Sequence, residues 1–374
     1  MFYAMFFVLT NQKENLMKKT LSLAAMAAVF AAPAMAANLE NPLYSPKSGE
    51  FYSKTGAGLM YKKADDSQAM LMSGRDGGTE WPIYRVTQDF GFGITDRLSV
   101  NAGFGWTQDN DIDRAGMHNG RLGLNLRVLN GQDNDHGLIW DVYADAHLGG
   151  VMKMKGSYDL VKGFKYDNYT NGRWGVFAGS RVGKTWDKFT LMGWTELHQT
   201  FGNHNNAIDT KPTKTAAAGA VQACLSTYGM AVCMADPSFQ IAYGLAGLAD
   251  ELSVNLKSTL EFNTGVKAFY ELDDKWSFGG GFTFKTRENN GIKGVHTQQS
   301  NPASTAVANA LAAGMYDMRD GWDEYILSAV VMRQLTESVQ VGLYAEYTFD
   351  SAEAMSQNGT DIKAEAGVRV NVAF

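Results

Sequence analysis

The sequence has few prolines, few cysteines and no excess of positive charge. Seven prolines and two cysteines occur in 374 residues, which excludes a proline-rich disordered chain and a disulfide-rich scaffold. The mean hydropathy of -0.23 excludes a bundle of transmembrane helices, because such a bundle needs repeated apolar runs of about 18 residues or more. The formal net charge is -6, and this acidic balance argues against nucleic acid as a partner.

Glycine and aromatic residues are abundant, and apolar residues alternate with polar ones along much of the chain. There are 40 glycines, and aromatic residues make up 12% of the sequence, a composition typical of large antiparallel β structures. Residues 252–272 alternate throughout, which would place the apolar residues on one face of a strand but scatter them around a helix. A strand of that length exceeds the usual length in soluble proteins.

The start of the chain has the anatomy of an export signal. From Met17 two lysines precede an apolar stretch, which ends in the cleavage pattern Ala34-Met35-Ala36. A membrane-anchor helix is the alternative, but the apolar core is short and rich in alanine. We therefore interpret the chain as an upstream mis-start (1–16), a cleaved signal peptide (17–36), a periplasmic segment (37–49) and a barrel (50–374).

The chain ends in a strand with a terminal aromatic residue. Val368, Val370, Val372 and Phe374 alternate with more polar residues, and Phe374 is the last residue. This pattern resembles the terminal strand of Gram-negative outer-membrane β-barrel proteins. The resemblance implies that these four residues act as an insertion signal, read by the outer-membrane assembly machinery after delivery by periplasmic chaperones.

The alternating segments predict an all-β fold: a closed, antiparallel, up-and-down transmembrane β-barrel of about twelve strands. Short periplasmic turns and long extracellular loops alternate between the segments, as an outer-membrane barrel requires. Counts of ten or fourteen stay open, because three of the segments alternate less clearly. The predicted strands are 50–62, 81–94, 98–108, 117–129, 137–149, 171–185, 189–201, 252–272, 276–287, 322–334, 339–349 and 360–374.

If the apolar faces meet lipid, the opposite faces line the lumen of the barrel. Aromatic residues near strand ends are then expected to form girdles at the membrane interfaces. The lumen could be a self-paired network of charges that fills the barrel, or a narrow polar pore. The predicted lumen-lining residues are Arg85, Asp89, Arg121, Arg127, Asp141, Asp145, His147, Arg173, Arg181, Glu196, His198, Lys257, Glu261, Lys267, Glu346, Glu365 and Arg369.

Two alanine-rich loop segments and the cysteine pair are the remaining features of the long loops. Segments 212–225 and 302–315 begin like helices, and either could constrict the barrel mouth or lie on the surface. Cys224 and Cys233 are predicted to form a local disulfide, since an exported protein matures in an oxidising compartment. The sequence offers no further ligands for a metal site beside them, and no cofactor is expected.

One cluster of acids and histidines could support chemistry. Asp145 and His147 share one lumen face, Glu196 and His198 share another, and Arg173 lies on the strand between. Such acid–histidine pairs resemble those of omptin-type outer-membrane proteases, although the expected motif context is absent. An outer-membrane phospholipase is a further alternative, but no lipid-facing serine–histidine pair stands out. Gating that depends on pH or metal, or ordinary lumen polarity, are the other interpretations.

The sequence therefore favours a non-enzymatic outer-membrane channel or transporter for small solutes, with a narrow charged lumen. Expected partners are outer-membrane lipids and lipopolysaccharide, and no nucleic acid. The alternative is a filled barrel that acts structurally or through its extracellular loops, and an outer-membrane hydrolase is a distant third. The solute, the ion preference and the oligomeric state do not follow from the sequence.

Overall fold

The structure, a computed structural model, describes residues 38–374 except 65–81, 111–113, 119, 160–162, 169, 171, 289–290, 317–321 and 351–359. The interpreted mis-start (1–16) and signal peptide (17–36) lie outside these residues and stay predictions. Trp81, the first residue of the predicted strand 81–94, also lies outside them.

Strands make up most of the described chain. In chain order they are β1 (Phe51–Ala64), β2 (Ile83–Gly93), β3 (Leu98–Asp109), β4 (Arg114–Met117), β5 (Arg121–Leu129), β6 (Leu138–Leu148), β7 (Met154–Asp159), β8 (Gly163–Tyr166), β9 (Trp174–Trp186), β10 (Phe189–Thr200), β11 (Asn206–Asp209), β12 (Glu251–Leu252), β13 (Val254–Leu256), β14 (Thr259–Glu271), β15 (Trp276–Arg287), β16 (Ile292–Val295), β17 (Trp322–Gln334), β18 (Val339–Asp350) and β19 (Thr360–Ala373).

Thirteen of these strands form one closed antiparallel barrel. The hydrogen-bonded order is β2-β1-β19-β18-β17-β15-β14-β10-β9-β6-β5-β3-β4, and β2 also pairs with β3, which closes the sheet. Because β4 and β5 both pair with β3 and follow each other in the chain, they occupy a single strand position. The barrel therefore has twelve strand positions, and the predicted fold is confirmed.

The two rims of the barrel differ in the length of their connections. Five short turns lie at one rim, called here the short-turn rim, and the long connections lie at the other, called the loop rim. The chain ends also meet at the short-turn rim: the Phe51 N–H donates to the Phe374 carbonyl at 3.1 Å, and the Phe374 N–H donates to the Phe51 carbonyl at 2.8 Å. These bonds extend the pairing of β1 with β19 to the last residue.

The predicted strand 252–272 is wrong in its first part. It breaks before β14, and the preceding residues form β12 and β13, which pair with β11 and β16 outside the barrel. Leu252 and Val254 are fully buried there, and Leu256 is 4% exposed, in an apolar core formed by the loops. Alternation along a strand shows which residues share a face but not which sheet the strand joins. Loop packing therefore decided this element.

The outer face of the barrel is apolar, and the inner face is polar. On β5, Leu122 and Leu124 point outward and are 53% and 52% exposed, whereas Arg121, Asn125 and Arg127 point inward. Most other barrel strands follow this alternation, but β10 and β17 also place apolar residues such as Met192 and Val330 on the inner face. A continuous band of exposed large apolar side chains is a liability in water but suits contact with hydrocarbon.

Aromatic side chains ring both ends of this band. Trp186, Phe189 and Trp276 are exposed beside short turns, while Tyr84 and Trp174 are exposed toward the loop rim. This arrangement is the one found at membrane interfaces, where an amphipathic ring spans the boundary between apolar and polar layers.

The long connections at the loop rim pack into a cap with its own apolar core. The cap contains α1 (Lys211–Tyr228), α2 (Met230–Ala235), α3 (Pro237–Ala246), α4 (Pro302–Tyr316) and a 3-10 turn (Gly149–Val151). Its core includes Ile208, Leu248, Ala308 and Ala312, all at most 1% exposed. No helix in the described ranges is long and apolar enough to cross a membrane.

The two alanine-rich segments predicted as helix starts lie in α1 and α4. Both helices pack on α3, and α4 also packs on β16. Ala217 of α1 and Ala308 and Ala312 of α4 are buried in the cap core, where their small side chains let the helices approach closely. Cys224 of α1 and Cys233 of α2 form a disulfide with a Cα–Cα distance of 6.1 Å.

Candidate functional site: the barrel lumen

Fifteen of the seventeen predicted lumen residues occupy inward positions on barrel strands. They come from eight of the twelve strand positions, so charged residues are distributed around most of the lumen. These residues are Arg85, Asp89, Arg121, Arg127, Asp141, Asp145, His147, Arg181, Glu196, His198, Glu261, Lys267, Glu346, Glu365 and Arg369.

The other two predicted residues lie outside the barrel strands, which corrects the expectation for both. Arg173 immediately precedes β9 and is 3% exposed; its Nη1 donates to the Lys257 carbonyl at 3.1 Å. Lys257 lies between β13 and β14, where the predicted strand breaks. Arg173 therefore ties the base of the cap to the loop rim.

A buried carboxylate joins two arginines near the short-turn rim. The Asp141 side chain is fully buried; Arg127 Nε donates to its Oδ1 at 2.9 Å, and Arg181 Nε donates to its Oδ2 at 2.8 Å. The register of β5, β6 and β9 places these three residues side by side. A buried carboxylate that accepts hydrogen bonds from two guanidinium groups has its charge compensated locally.

Further ion pairs line the lumen toward the loop rim. Arg121 Nη2 donates to Asp89 Oδ1 at 2.7 Å, and Arg85 Nη1 donates to Glu365 Oε2 at 2.9 Å. The Tyr344 hydroxyl also donates to Glu365, at 2.8 Å. Each ion pair spans an intervening strand, β3 for the first and β1 for the second, so both pairs brace the wall and narrow the lumen at the same time.

The acid–histidine pairs are brought close, but not as a protease dyad. The rings of His147 and His198 lie 5.1 Å apart, and both contact the ring of Phe177. His198 Nδ1 lies 3.9 Å from Glu261 Oε1, while Asn101 donates to Asp145. In the described part of the chain, no group of three His, Cys, Asp or Glu residues is placed to hold a metal ion.

The N-terminal segment Asn38–Glu50 lies inside the barrel at the short-turn rim. The sequence predicted a periplasmic segment over 37–49, and the structure adds that described residues of this segment contact the lumen wall. Lys54 Nζ donates to the Leu39 carbonyl from β1, and Asn41 Nδ2 donates to Thr190 Oγ1 of β10 at 3.2 Å. Since β1 and β10 are six strand positions apart in a ring of twelve, the segment spans the diameter of the lumen.

Local turns keep this segment compact. The Asn41 N–H donates to the Asn38 carbonyl at 3.0 Å, and the Tyr44 N–H donates to the Asn41 carbonyl at 2.9 Å. The Leu43 N–H donates to Asn41 Oδ1 at 3.0 Å, the side-chain turn that an Asn-Pro sequence favours. Leu39 and Leu43 are 2% and 3% exposed, so the segment also buries apolar surface.

Glu40 is the charged contact between this segment and the wall. Its Oε2 accepts from Arg369 Nη1 at 2.9 Å, its Oε1 accepts from Asn371 Nδ2 at 2.9 Å, and Lys54 Nζ lies 3.9 Å from Oε1. Burial opposes ionisation of this carboxyl, but Lys54 and Arg369 outweigh it and hold the pKa of Glu40 at about 2, below its ordinary value of 4.5.

Arginine side chains hold the backbone of the same segment. Arg127 Nη2 donates to the Leu43 carbonyl at 2.6 Å, and Arg181 Nη2 donates to the Tyr44 carbonyl at 3.3 Å. Both arginines are already oriented by Asp141. The segment is therefore bound by wall residues from several strands, and no sequence pattern had marked it as a lumen element.

A cavity of about 540 Å³ lies between this segment and the lumen wall. It is lined by Glu40 and Tyr44 of the segment and by wall residues that include Arg121, Lys267 and Glu346. No residue of the four cap helices lines it. The constriction of this cavity comes from the N-terminal segment, and not from the alanine-rich loops.

Comparisons with solved structures identify the architectural class. An outer-membrane channel from Pseudomonas putida F1 superposes with a TM-score of 0.51 at 12% identity, covering 90% of this chain and 100% of that chain. The NanC porin gives a TM-score of 0.39 at 8% identity, covering 85% and 98%. The translocator domain of the autotransporter NalP from Neisseria meningitidis gives 0.36 at 11% identity, covering 96% and 98%.

The superposition on the Pseudomonas putida channel, together with the closed twelve-position barrel, confirms at the level of the fold the resemblance inferred from the sequence. No protein-family model and no curated protein matches the sequence.

Proposed function

We propose that this protein is an outer-membrane channel for small polar solutes. The observation that supports this most directly is the combination of an apolar outer face with a charged lumen that encloses a cavity of about 540 Å³. In hydrocarbon, only a helix bundle or a closed barrel can form hydrogen bonds with all of its backbone groups. This chain forms a closed barrel. Passage through such a lumen requires no chemistry, because the lining charges set selectivity.

In this proposal the short-turn rim faces the periplasm and the cap faces outward, where it meets lipopolysaccharide. Export through the signal peptide 17–36 and insertion guided by the end of β19 belong to the same proposal. The N-terminal segment then stands at the periplasmic exit of the lumen. It would keep the channel mostly closed, so conduction would occur when the segment leaves its site.

The second candidate is a filled barrel that acts through its external cap. The separate apolar core of the cap favours this alternative, because the loops form an ordered surface and not simple connections. On the outer side of that surface Tyr228, Val232 and Ile241 are exposed. This role needs no passage through the lumen.

Single-channel recording separates the two functions. Purified protein, shown to be folded by its heat-modifiable migration, would be placed in planar lipid bilayers under a salt gradient. We expect brief discrete openings, with the ion preference read from the reversal potential. A variant that lacks residues 38–46 should stay open longer. If folded wild-type protein and this variant are both silent, the channel function is wrong and the cap becomes the candidate site.

A further inference from the structure

We propose that Arg369, Asn371 and Lys54 form a carboxylate-binding site that Glu40 occupies in the closed state. A small carboxylate solute binds there in place of Glu40 and thereby releases the N-terminal segment. This inference rests on the proposed channel function and names the class of solute that the channel would admit.

The site is built from rigid wall residues and filled by a group from outside the wall. Arg369 and Asn371 are two residues apart on β19, so both side chains point inward. Lys54 of β1 lies directly opposite Asn371 in the pairing of β1 with β19. Asn371 is fully buried, and the Arg369 guanidinium lies over the Tyr344 ring at 4.8 Å. Side chains fixed in this way keep their geometry when the bound carboxylate changes, which lowers the cost of binding a replacement.

The contacts of Glu40 show which chemistry the site recognises. Each carboxylate oxygen accepts a hydrogen bond at 2.9 Å, one from a guanidinium and one from an amide, and an ammonium lies 3.9 Å away. Hydrogen bonds between ionised partners are about twice as strong as neutral ones. An amide group of the same shape has a single oxygen, so it could accept only one of these two hydrogen bonds. Because it is neutral, it would also leave Lys54 and Arg369 without a counter-charge.

The charge balance of the lumen changes when Glu40 leaves. Within the described residues, Lys54 and Arg369 have no other carboxylate within ion-pair distance. Lys267 lines the same cavity and makes no ion pair with a described residue. Arg127 and Arg181 keep their contacts with Asp141, whose single negative charge they share. The vacated site therefore exposes the charges of Lys54 and Arg369. The cavity lining changes from five cations and five carboxylates to one excess positive charge, which favours anions.

Competition with Glu40 also sets the concentration scale. A group on the same chain competes at an effective concentration in the millimolar range, so a solute must reach about that level to displace it. Weak, reversible displacement suits a passive channel, because a solute that bound tightly would block passage. No bond is made or broken, and one carboxylate replaces another.

The test compares succinate with succinamide, which has the same skeleton but neutral amides. In wild-type protein, millimolar succinate on the short-turn side should raise the open probability, whereas succinamide should not. Glu40→Gln should raise the open probability by at least about tenfold without any solute, since it removes a charge-assisted contact. Glu337→Gln is the matched control, because Glu337 is an exposed residue in a short turn.

A binding measurement keeps the site testable even if no current flows. Calorimetry in detergent should show succinate, and not succinamide, binding to the Glu40→Gln protein, and adding Arg369→Gln should abolish that heat. Equal behaviour of succinate and succinamide in both measurements overturns the site. Selective binding without any conductance supports the site but contradicts the channel function, so the two failures are distinguishable.

Discussion

The Nδ2 of Asn41 lies 3.2 Å from the Oγ1 of Thr190, and this contact joins the N-terminal segment to the wall of the barrel. It lies on the side of the lumen opposite Lys54, so the segment is held at both ends of a diameter. These two contacts, one between neutral groups and one with a charged group, hold the segment on opposite sides of the lumen, in addition to the contacts of Arg127 and Arg181 with its backbone.

A disulfide between these two positions should lock the lumen closed. We expect the oxidised double variant Asn41→Cys, Thr190→Cys to show almost no openings in planar bilayers, because the segment can no longer leave. A reducing agent should restore them. Each single variant, and wild-type protein with reductant to account for Cys224–Cys233, serve as controls. Unchanged openings in the verified cross-linked protein would show that the segment does not gate the lumen.

The ionisation of Glu40 predicts a response to strong acid only. The pKa of Glu40 in the folded protein is about 2, below its ordinary value of 4.5. Ionised Glu40 therefore stabilises the bound segment fully above about pH 4.5, and this stabilisation is lost as the pH falls toward 2. Lys54 and Arg369, the two cations that face it, cannot lose charge on acidification. Open probability should be equal at pH 7 and 5 and should rise at pH 3, and Glu40→Gln should lack this step.

Asp141→Asn should weaken the barrel strongly. The fully buried carboxylate balances Arg127 and Arg181, and removing one partner of a buried ion pair costs roughly 3–5 kcal/mol. Urea titration of the folded form in detergent measures this loss. Asp133→Asn removes a similar pair with Arg97 in which both side chains are about half exposed, and it should cost about 0–1 kcal/mol. Equal losses in the two variants would contradict a stabilising role for the buried cluster.

Cys224→Ser should loosen the cap without affecting the barrel. The disulfide restricts the unfolded chain, and for a loop of this size this raises the free energy of unfolding of the cap by roughly 2–3 kcal/mol. Tyr228 lies within the closed loop and is 65% exposed, so chymotrypsin should cut there faster in the variant. The heat-modifiable migration of the barrel should stay unchanged. Ser226→Ala, inside the same loop, is the matched control.

Deletion of Val368–Phe374 should abolish insertion into the membrane. The deleted residues pair with Tyr52–Ala57 of β1 and close the barrel, and they include Arg369 and Asn371. Heat-modifiable protein in the outer-membrane fraction measures insertion. Deletion of a cap segment of equal length, 222–228, should leave insertion intact. Normal amounts of folded barrel in the outer-membrane fraction after the terminal deletion would contradict this prediction.

The sequence alone determined most of the barrel strands, their inward and outward faces and the alternation of short turns with long loops. These features follow from a period of two along each strand and from local turn residues, which are properties of neighbouring positions. Leu122 and Arg121 could be assigned to opposite faces for this reason. The charged lumen could be predicted because each inward position follows from its own strand.

Tertiary structure decided what fills and caps the barrel. Leu252 and Val254 alternate as a barrel strand would, but packing against α3 and α4 draws them into the cap core. Glu40 lies 329 positions before Arg369, and no local pattern links them. Closing the barrel brings the two ends of the chain together at one rim, and only then does an ordinary polar segment before β1 lie within reach of the lumen cations. Contacts of that kind depend on the whole ring of strands, so the position of this segment in the lumen could not be predicted from any part of the sequence.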